Sequence, residues 1–291
     1  MKGVIIVNGY FSNDAVKNQT ARLIEEFKNL GVDISVLKSN EVIVLIEDGK
    51  PVVKSGMPDC DFVVYLNKDR HQAELLEKCG YRLFNNSQAI INCDDKFLTF
   101  IVLSEKGIPM PKTLSSPIMY SQNSDDNFLR LIESEFTYPI IVKSAYGSMG
   151  RGVYKADNYA ELSALFDKLK MEPHLYQQAV GTLGQDTRVI VIGGKVVGAI
   201  RRKSQNDFRS NVELGGTATL VELTSSQIEI AQKSATILGL DYAGIDILSD
   251  KKGDYLCEVN SNAFFGGFEK ATGINVAKIY AEHILSELNK A

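Results

Sequence analysis

Ala243-Gly244-Ile245-Asp246-Ile247-Leu248 and, after the turn-rich stretch Ser249–Asp254, Leu256-Cys257-Glu258-Val259-Asn260 read as two strands of one hairpin. Strand side chains alternate between faces, so Glu258 and Asn260 share a face. A turn centred near residues 251–253 places Asp246 opposite Glu258 on that face. Two carboxylates and an amide oxygen brought together repel unless a hard cation joins them, and oxygen ligands of this kind suit Mg²⁺ shared with nucleotide phosphates, with Mn²⁺ as the alternative. The competing reading is an acidic solvent face, against which stand the apolar neighbours Ile245, Ile247, Leu256 and Val259.

Working outward from this hairpin, Thr187–Ile192 and Lys195–Arg201 read as strands joined by a Gly193-Gly194 turn. A helix spans Ser225–Leu238 and another Asn275–Leu288. Upstream, a helix from Asp94 to Glu105 ends at Gly107 before Pro109 and Pro111, which marks a boundary. Between it and Val180, helices at 126–136 and Asn158–Leu169 alternate with strands at Pro139–Ser144, Gly152–Lys155 and His174–Val180, a pattern of antiparallel hairpins with helices on one side. Residues 1 to about 90 read as wound α/β structure, with strands at Val4–Val7, Asp33–Leu37 and Phe62–Tyr65 and a helix over Asn13–Leu30. The expected division is 1–93, 94–180 and 181–291.

Two further clusters carry chemistry. Lys143 ends a strand and precedes Ala145-Tyr146-Gly147-Ser148-Met149-Gly150-Arg151-Gly152, where glycines let backbone N–H groups converge on an anion; a plain hairpin loop is the alternative. No Gly-Lys-Ser/Thr follows, so this is not a Walker loop. Arg201-Arg202-Lys203 and Asp207-Phe208-Arg209-Ser210-Asn211 offer guanidinium clamps for phosphate or carboxylate oxygens, or else form a solvated charge run.

Composition narrows the classes. The 291 residues are 44% hydrophobic and 23% charged, and 32 Lys+Arg against 36 Asp+Glu give a net charge of −4. Such a chain has no global field for nucleic acid or an anionic membrane. Its longest apolar runs are shorter than the roughly 18 residues of a membrane span, and its N-terminus lacks the roughly 7–15-residue apolar core of a signal peptide. A cytoplasmic chain is expected, with Cys60, Cys79, Cys93 and Cys257 as free thiols; His71, His174 and His283 are too scattered for zinc. The loop Asn8-Gly9-Tyr10-Phe11-Ser12 carries no G-x-G-x-x-G, which argues against a dinucleotide oxidoreductase.

In order, these pieces resemble the ATP-grasp superfamily, and within it the RimK-type α-L-glutamate ligases, over about two thirds of the chain from Asp94 onward. The likeness rests on Asp95-Lys96, Val142-Lys143 with Gly147-x-x-Gly150-x-Gly152, Asp186-x-Arg188, Asp207–Asn211 with Gly215-Gly216, Ala243–Leu248, Glu258-Val259-Asn260, and Gly267-Phe268-Glu269-x-x-Thr272-Gly273-Ile274. It implies an ATP-grasp fold, two α+β lobes clasping ATP, behind an α/β pre-grasp domain.

The resemblance also implies site roles. Lys96 and Lys143 would contact ATP phosphates under a lid containing Gly147, Ser148, Met149, Gly150 and Gly152; Gln177, Gln178, Ala179 and Val180 would read the adenine, with Asp186 near the ribose. Asp246, Glu258 and Asn260 would hold Mg²⁺, and Arg202, Arg209 and Asn211 would face the phosphates and the reacting carboxyl. The activity implied is carboxylate–amine ligation through an acyl phosphate, with a small-molecule, peptide or protein carboxylate as acceptor and an amine or amino acid as donor. A homo-oligomer is compatible with this; the alternatives are a non-catalytic ATP-binding module and a small-peptide or amino-acid ligase unrelated to ribosomal protein S6. After Asn260 the family often reads small-Ser-Pro-Gly, whereas this chain reads Ser261-Asn262-Ala263-Phe264-Phe265-Gly266, which leaves the substrate pair open. The paired phenylalanines either enter the core or narrow the acceptor pocket.

Overall fold

A computed structural model describes residues 1–120, 127–210 and 216–290. The N-terminal part is a parallel sheet of β1 (Lys2–Val7), β2 (Asp33–Lys38), β5 (Phe62–Leu66) and β6 (Leu83–Phe84) in the order β2-β1-β5-β6. Its crossovers are α1 (Asp14–Asn29) and α2 (Arg70–Lys78), and an antiparallel hairpin of β3 (Ile43–Glu47) and β4 (Lys50–Ser55) stands beside it. Asn13 caps α1, its Oδ1 accepting from Val16 N at 2.9 Å.

Next come α3 (Ser87–Asp94) and α4 (Lys96–Leu103), which turn around Asp95. The Asp95 carboxylate caps α4 by accepting from Phe97 N and Leu98 N, which fixes Lys96 in its first turn. The small lobe is an antiparallel sheet in the order β7-β10-β8-β9, formed by β7 (Thr113–Ser115), β8 (Ile140–Ser144), β9 (Val153–Ala156) and β10 (His174–Gln178). Helices α5 (Asn127–Glu135) and α6 (Tyr159–Leu169) cover it through Ile132, Leu162 and Phe166 against Val142 and Tyr176.

The large lobe is an antiparallel sheet in the order β13-β12-β11-β14-β15, from β11 (Gln185–Ile192), β12 (Lys195–Lys203), β13 (Thr217–Leu220), β14 (Tyr242–Asp250) and β15 (Gly253–Asn260). Gly193 and Gly194, both at positive φ (55° and 73°), make the tight turn between β11 and β12. One sheet face, with Val189, Val191, Ile245 and Ile247, packs on α3, α4 and α7 (Ser225–Ile237). The other carries Ile190, Ile192, Ile200 and Tyr242 into a core shared with α8 (Gly266–Thr272), α9 (Val276–Leu288) and the N-terminal Ile5, Phe27, Phe62 and Phe84. Among the described residues no helix is long and apolar enough to cross a membrane.

The shared core makes the N-terminal sheet and the large lobe one packed body, and Asn85 ties them by hydrogen bonds. Its Nδ2 donates to Tyr242 O and Ser261 O, both at 2.8 Å, while its Oδ1 accepts from Asp241 N at 2.7 Å and Tyr242 N at 3.0 Å. At 2% exposure, no water can replace these bonds. Asn85→Ala should therefore lower the unfolding free energy by roughly 2–4 kcal/mol, because it leaves buried peptide groups unpaired. Urea titration would register this as a lower midpoint at constant slope, and an unchanged midpoint would remove Asn85 as the tie.

Candidate active site

The cleft lies where the edges of the two lobes meet the carboxyl ends of β1 and β5. Strand β11 explains its polarity: Asp186, Arg188, Ile190 and Ile192 share one face, and the apolar half lies in the shared core while the charged half opens to the cleft. Register then sets partners directly across strands, Asp186 with Arg202, Arg188 with Asp246, and Asp246 with Glu258.

These pairs form a continuous row. Arg202 Nε donates to Asp186 Oδ1 at 2.7 Å, and its Nη2 lies 2.9 Å from Asp246 Oδ2. Arg188 grips Asp246 bidentately, Nη2 to Oδ2 at 2.7 Å and Nε to Oδ1. Ser210 Oγ completes the Asp186 shell at 2.5 Å. Burial alone would raise the Asp246 pKa, but Arg188 and Arg202 outweigh it and hold the carboxyl below its ordinary range. Gly244 permits the close packing beside this row, since a Cβ there would lie 2.4 Å from Ala263 Cβ and 3.2 Å from Arg188 Cδ.

Strand β15 departs from simple alternation. Asp246 pairs with Glu258 but Ile247 pairs with Leu256, so Cys257 is an extra residue in a β-bulge. Leu256 and Val259 thereby both reach the α7 core, while Cys257 and Glu258 both line the cleft. Burial pushes the Cys257 thiol pKa up to about 11, although Lys143 Nζ, 3.7 Å away, pulls the other way.

The two lysines converge from different elements. Lys143 stands on β8, and Lys96 Nζ lies 3.8 Å from Glu258 Oε1 and donates to Gly147 O at 2.9 Å. Burial lowers the Lys96 pKa; Glu258 opposes this, while Lys68 and Lys143 add to it. The glycine loop is fastened at three places, by Lys96 on Gly147, by Arg209 Nη1 on Gly150 O at 2.9 Å, and by Arg70 Nη1 on Tyr146 Oη at 3.2 Å. Gly147, Met149, Gly150 and Gly152 all take positive φ, which accounts for the glycines at three of the four positions.

Two adjoining cavities result. The first brings Lys96, Lys143, Gly150, Asp186, Arg202, Arg209, Asp246 and Glu258 together with the strand end Gln177-Gln178-Ala179-Val180. The second is lined by Ser148, Met149 and Asn260, and Arg202 borders both. Gln177 is buried and donates to Thr113 Oγ1, whereas the Gln178 amide turns to Thr137. Asn211 and Gly215 fall outside the described residues. Phe265 is fully buried in the shared core, and Phe264 lines the second cavity, so each phenylalanine takes one of the two expected fates. Arg188, Cys257, Asn8 and Lys68 were not assigned from sequence; alternation from Asp186 signals Arg188, but nothing local signals the others.

Among the described residues no three or more His, Cys, Asp or Glu side chains cluster as a metal site. The donor set at the cleft is instead two facing carboxylates, Asp246 and Glu258, with Asn260 two residues along the strand. Both Asp246 oxygens accept arginine bonds yet keep lone pairs, and Glu258 is 28% exposed at its side chain. Hard oxygen donors few in number fit Mg²⁺ that takes its remaining ligands from phosphates and water.

The depressed Asp246 pKa makes a stability prediction. A carboxyl depressed in the folded state stabilises above its unfolded value and loses that contribution as pH falls through the folded value. Unfolding free energy should thus hold at neutral pH and decline below about pH 4. Asp246→Asn should flatten that acid limb and cost roughly 3 kcal/mol at pH 7, since two buried guanidinium groups lose their counter-charge. Denaturant titrations between pH 3 and pH 7 check this, and superimposable acid limbs would contradict it.

Comparison with known proteins agrees with this architecture. The family model for a RimK-like ATP-grasp domain matches residues 93–284. The chain is 35% identical over 275 residues to β-citrylglutamate synthase B of Danio rerio, covering 88% of this chain and 66% of that protein. It is 35% identical over 252 residues to N-acetylaspartylglutamate synthase A of Homo sapiens, covering 84% of this chain and 60% of the relative. The chain thus spans somewhat less than two thirds of the length of these curated relatives. In fold, it superposes on the crystal structure of D-alanine–D-alanine ligase from Bacillus anthracis with a TM-score of 0.74 at 17% identity, covering 100% of this chain and 98% of the other. The two-lobed cleft is therefore an ATP-grasp fold, and the chain belongs to the RimK-like ATP-grasp family.

Proposed function

We propose that this chain is an ATP-dependent carboxylate–amine ligase that joins an amino acid, glutamate being the first candidate, to a small carboxylic acid. The observation that supports this is the meeting of Lys96, Lys143, Arg202, Asp246 and Glu258 in one cavity that shares Arg202 with a second cavity. One cavity suits a nucleotide, the other an acceptor. The names of the two relatives, a citrylglutamate and an N-acetylaspartylglutamate synthase, share a glutamate portion and support that choice of amine.

In this reading Lys96 and Lys143 bind the phosphates of ATP, and the Gln177–Val180 strand end binds the adenine. Asp246, Glu258 and Asn260 hold Mg²⁺, which when bound neutralises phosphoryl oxygens. Asp186 orients Arg202 through its bidentate bond and so keeps a guanidinium aimed between the two cavities. Arg209, held by Asp207 and donating to Gly150 O, links the glycine loop to the large lobe and helps shield the cleft from water. The acceptor's carboxylate oxygen bonds to the terminal phosphorus as ADP leaves, and the amine then attacks the acyl carbon and expels phosphate. The protein's part is position and charge, which is most of what phosphoryl transfer requires.

The test is ADP release from ATP and Mg²⁺ with a panel of small carboxylic acids and amino acids. Release that depends on both an acid and an amine is the expected result, and its absence across the panel would remove the ligase reading. Glu258→Gln, which preserves shape, should lower that release roughly a hundredfold or more while the melting temperature stays close to wild type. Wild-type turnover in the variant would take Glu258 out of the site.

Phe264 gives a separate specificity prediction. Because it lines the second cavity while Phe265 fills the core, Phe264→Gly should reorder the acids that stimulate ADP release and leave the apparent ATP affinity within about twofold of wild type. An unchanged ranking with a lowered melting temperature would make Phe264 a packing residue only.

A further inference from the structure

The second cavity has a cation in its wall that comes from neither ATP-grasp lobe. Lys68 is the second residue after β5, and Asn8 directly follows the adjacent parallel strand β1, so both sit at the carboxyl ends of an open α/β sheet, where such sheets present ligand sites. The turn that carries Lys68 is braced: Asn67 Oδ1 accepts from Lys68 N at 2.8 Å and from Asn8 Nδ2 at 3.1 Å. Lys68 is therefore presented by a fixed backbone.

Three cations, Lys68, Arg188 and Arg202, line this cavity of about 260 Å³, and no Asp or Glu stands among its described lining residues. The two arginines are spoken for, bonded to Asp246 and Asp186. Lys68 differs. Among the described residues its nearest carboxylate oxygen, Asp94 Oδ1, is 3.9 Å from Nζ, beyond hydrogen-bond length, and its side chain is 31% exposed. Apolar surface from Phe11, Leu66 and Phe264 makes up other parts of the wall.

Resting on the ligase reading above, we infer that Lys68 is a substrate-binding residue supplied by the N-terminal domain, which anchors the reacting carboxylate of a small acid in the second cavity, whose wall it shares with Arg202. A carboxylate approaching a triphosphate meets like charge, and a cation placed between them offsets that repulsion. An ammonium on a flexible stem suits this task, because it follows the carboxylate as a point charge. The size of the cavity and its apolar portion favour a compact acid with a short carbon chain over an extended polypeptide.

The experiment uses the full chain with ATP, Mg²⁺ and glutamate, and takes succinate, glutarate, citrate and N-acetylaspartate as acceptor probes. Lys68→Met keeps the aliphatic stem and removes the charge; it should raise the acceptor KM roughly ten- to a hundredfold. Calorimetric Kd for a non-hydrolysable ATP analogue should change by less than about threefold, because no direct phosphate bond is lost. Lys68→Arg should bring the acceptor KM most of the way back. Melting temperatures of both variants identify any folding defect. An unchanged acceptor KM in Lys68→Met, or equal losses for acceptor and nucleotide, would overturn the role of Lys68 and leave the ligase reading standing. A wild-type chain that releases no ADP with any probe acid would overturn both.

Discussion

The register of three neighbouring strands, β12, β11 and β14, is the constraint on which the site depends. Arg202 meets Asp186, and Arg188 meets Asp246, only because those residues lie directly opposite one another. A slip of one residue would turn every charged side chain to the α7 face and every apolar one into the cleft. Buried ion pairs add little net stability, because desolvation cancels much of the attraction. Their worth here lies in the cost of the alternatives, since any shifted register strands a buried charge. The row thus selects the one pairing in which the guanidinium of Arg202 stands between the two cavities.

The same strands also attach the N-terminal domain. Ile190, Ile192 and Ile200 continue the charged face of β11 and β12 as an apolar surface, onto which Phe27, Phe62 and Phe84 pack. Charged and apolar halves of one face therefore divide the labour, one opening the cleft and the other fixing the domain that closes its far side. Asn85 reinforces the joint by bonding to backbone groups of Asp241, Tyr242 and Ser261. With the joint rigid, the strand ends at Asn8 and Asn67 keep their place relative to Arg202, and a cavity shared between domains can have a defined shape.

Local pattern carried much of this into the sequence. Period-2 alternation and a turn centred on residues 251–253 pair Asp246 with Glu258, and the structure has that pair, but it reaches it by another route: Asp250 lies opposite Gly253, and the bulge at Cys257 restores the pairing that this tighter turn would shift by one residue. The Gly193-Gly194 turn was legible too, because it is a local backbone requirement. The bulge at Cys257 was not legible. Strict alternation puts Leu256 on the same face as Glu258, and only the tertiary demand that Leu256 and Val259 both enter the α7 core inserts the extra residue. The β3–β4 hairpin was missed although Asp48 and Gly49 both adopt the positive φ of a tight turn, because its half-exposed strands lack a clear alternating pattern. Helix α4 was read as opening the small lobe, yet Phe100 and Leu103 pack with the large sheet. Long-range packing of that kind leaves no trace in a short window. The fate of the phenylalanine pair was likewise open until packing separated Phe265 from Phe264.

Charge accounting across the cleft suggests why position can be its main contribution. Arg188 and Arg202 are matched by Asp246 and Asp186, so the buried row is close to neutral and can stay dry. Lys96 and Lys143 are set against the single carboxylate of Glu258, which leaves the cleft an excess of positive charge where polyphosphate would lie. The side chain placed best to act as a nucleophile, Cys257, is disarmed by the same burial, since its thiol is pushed up to about 11 and stays protonated at neutral pH. In the proposed reaction a bound acid and amine would then react with each other and not with the protein. Within such a cleft the burden of specificity passes to whatever orients the acid, and the parts of the wall free to vary without disturbing the neutral row are those outside it, on the loop after Asn260 and on the strand ends of the N-terminal domain.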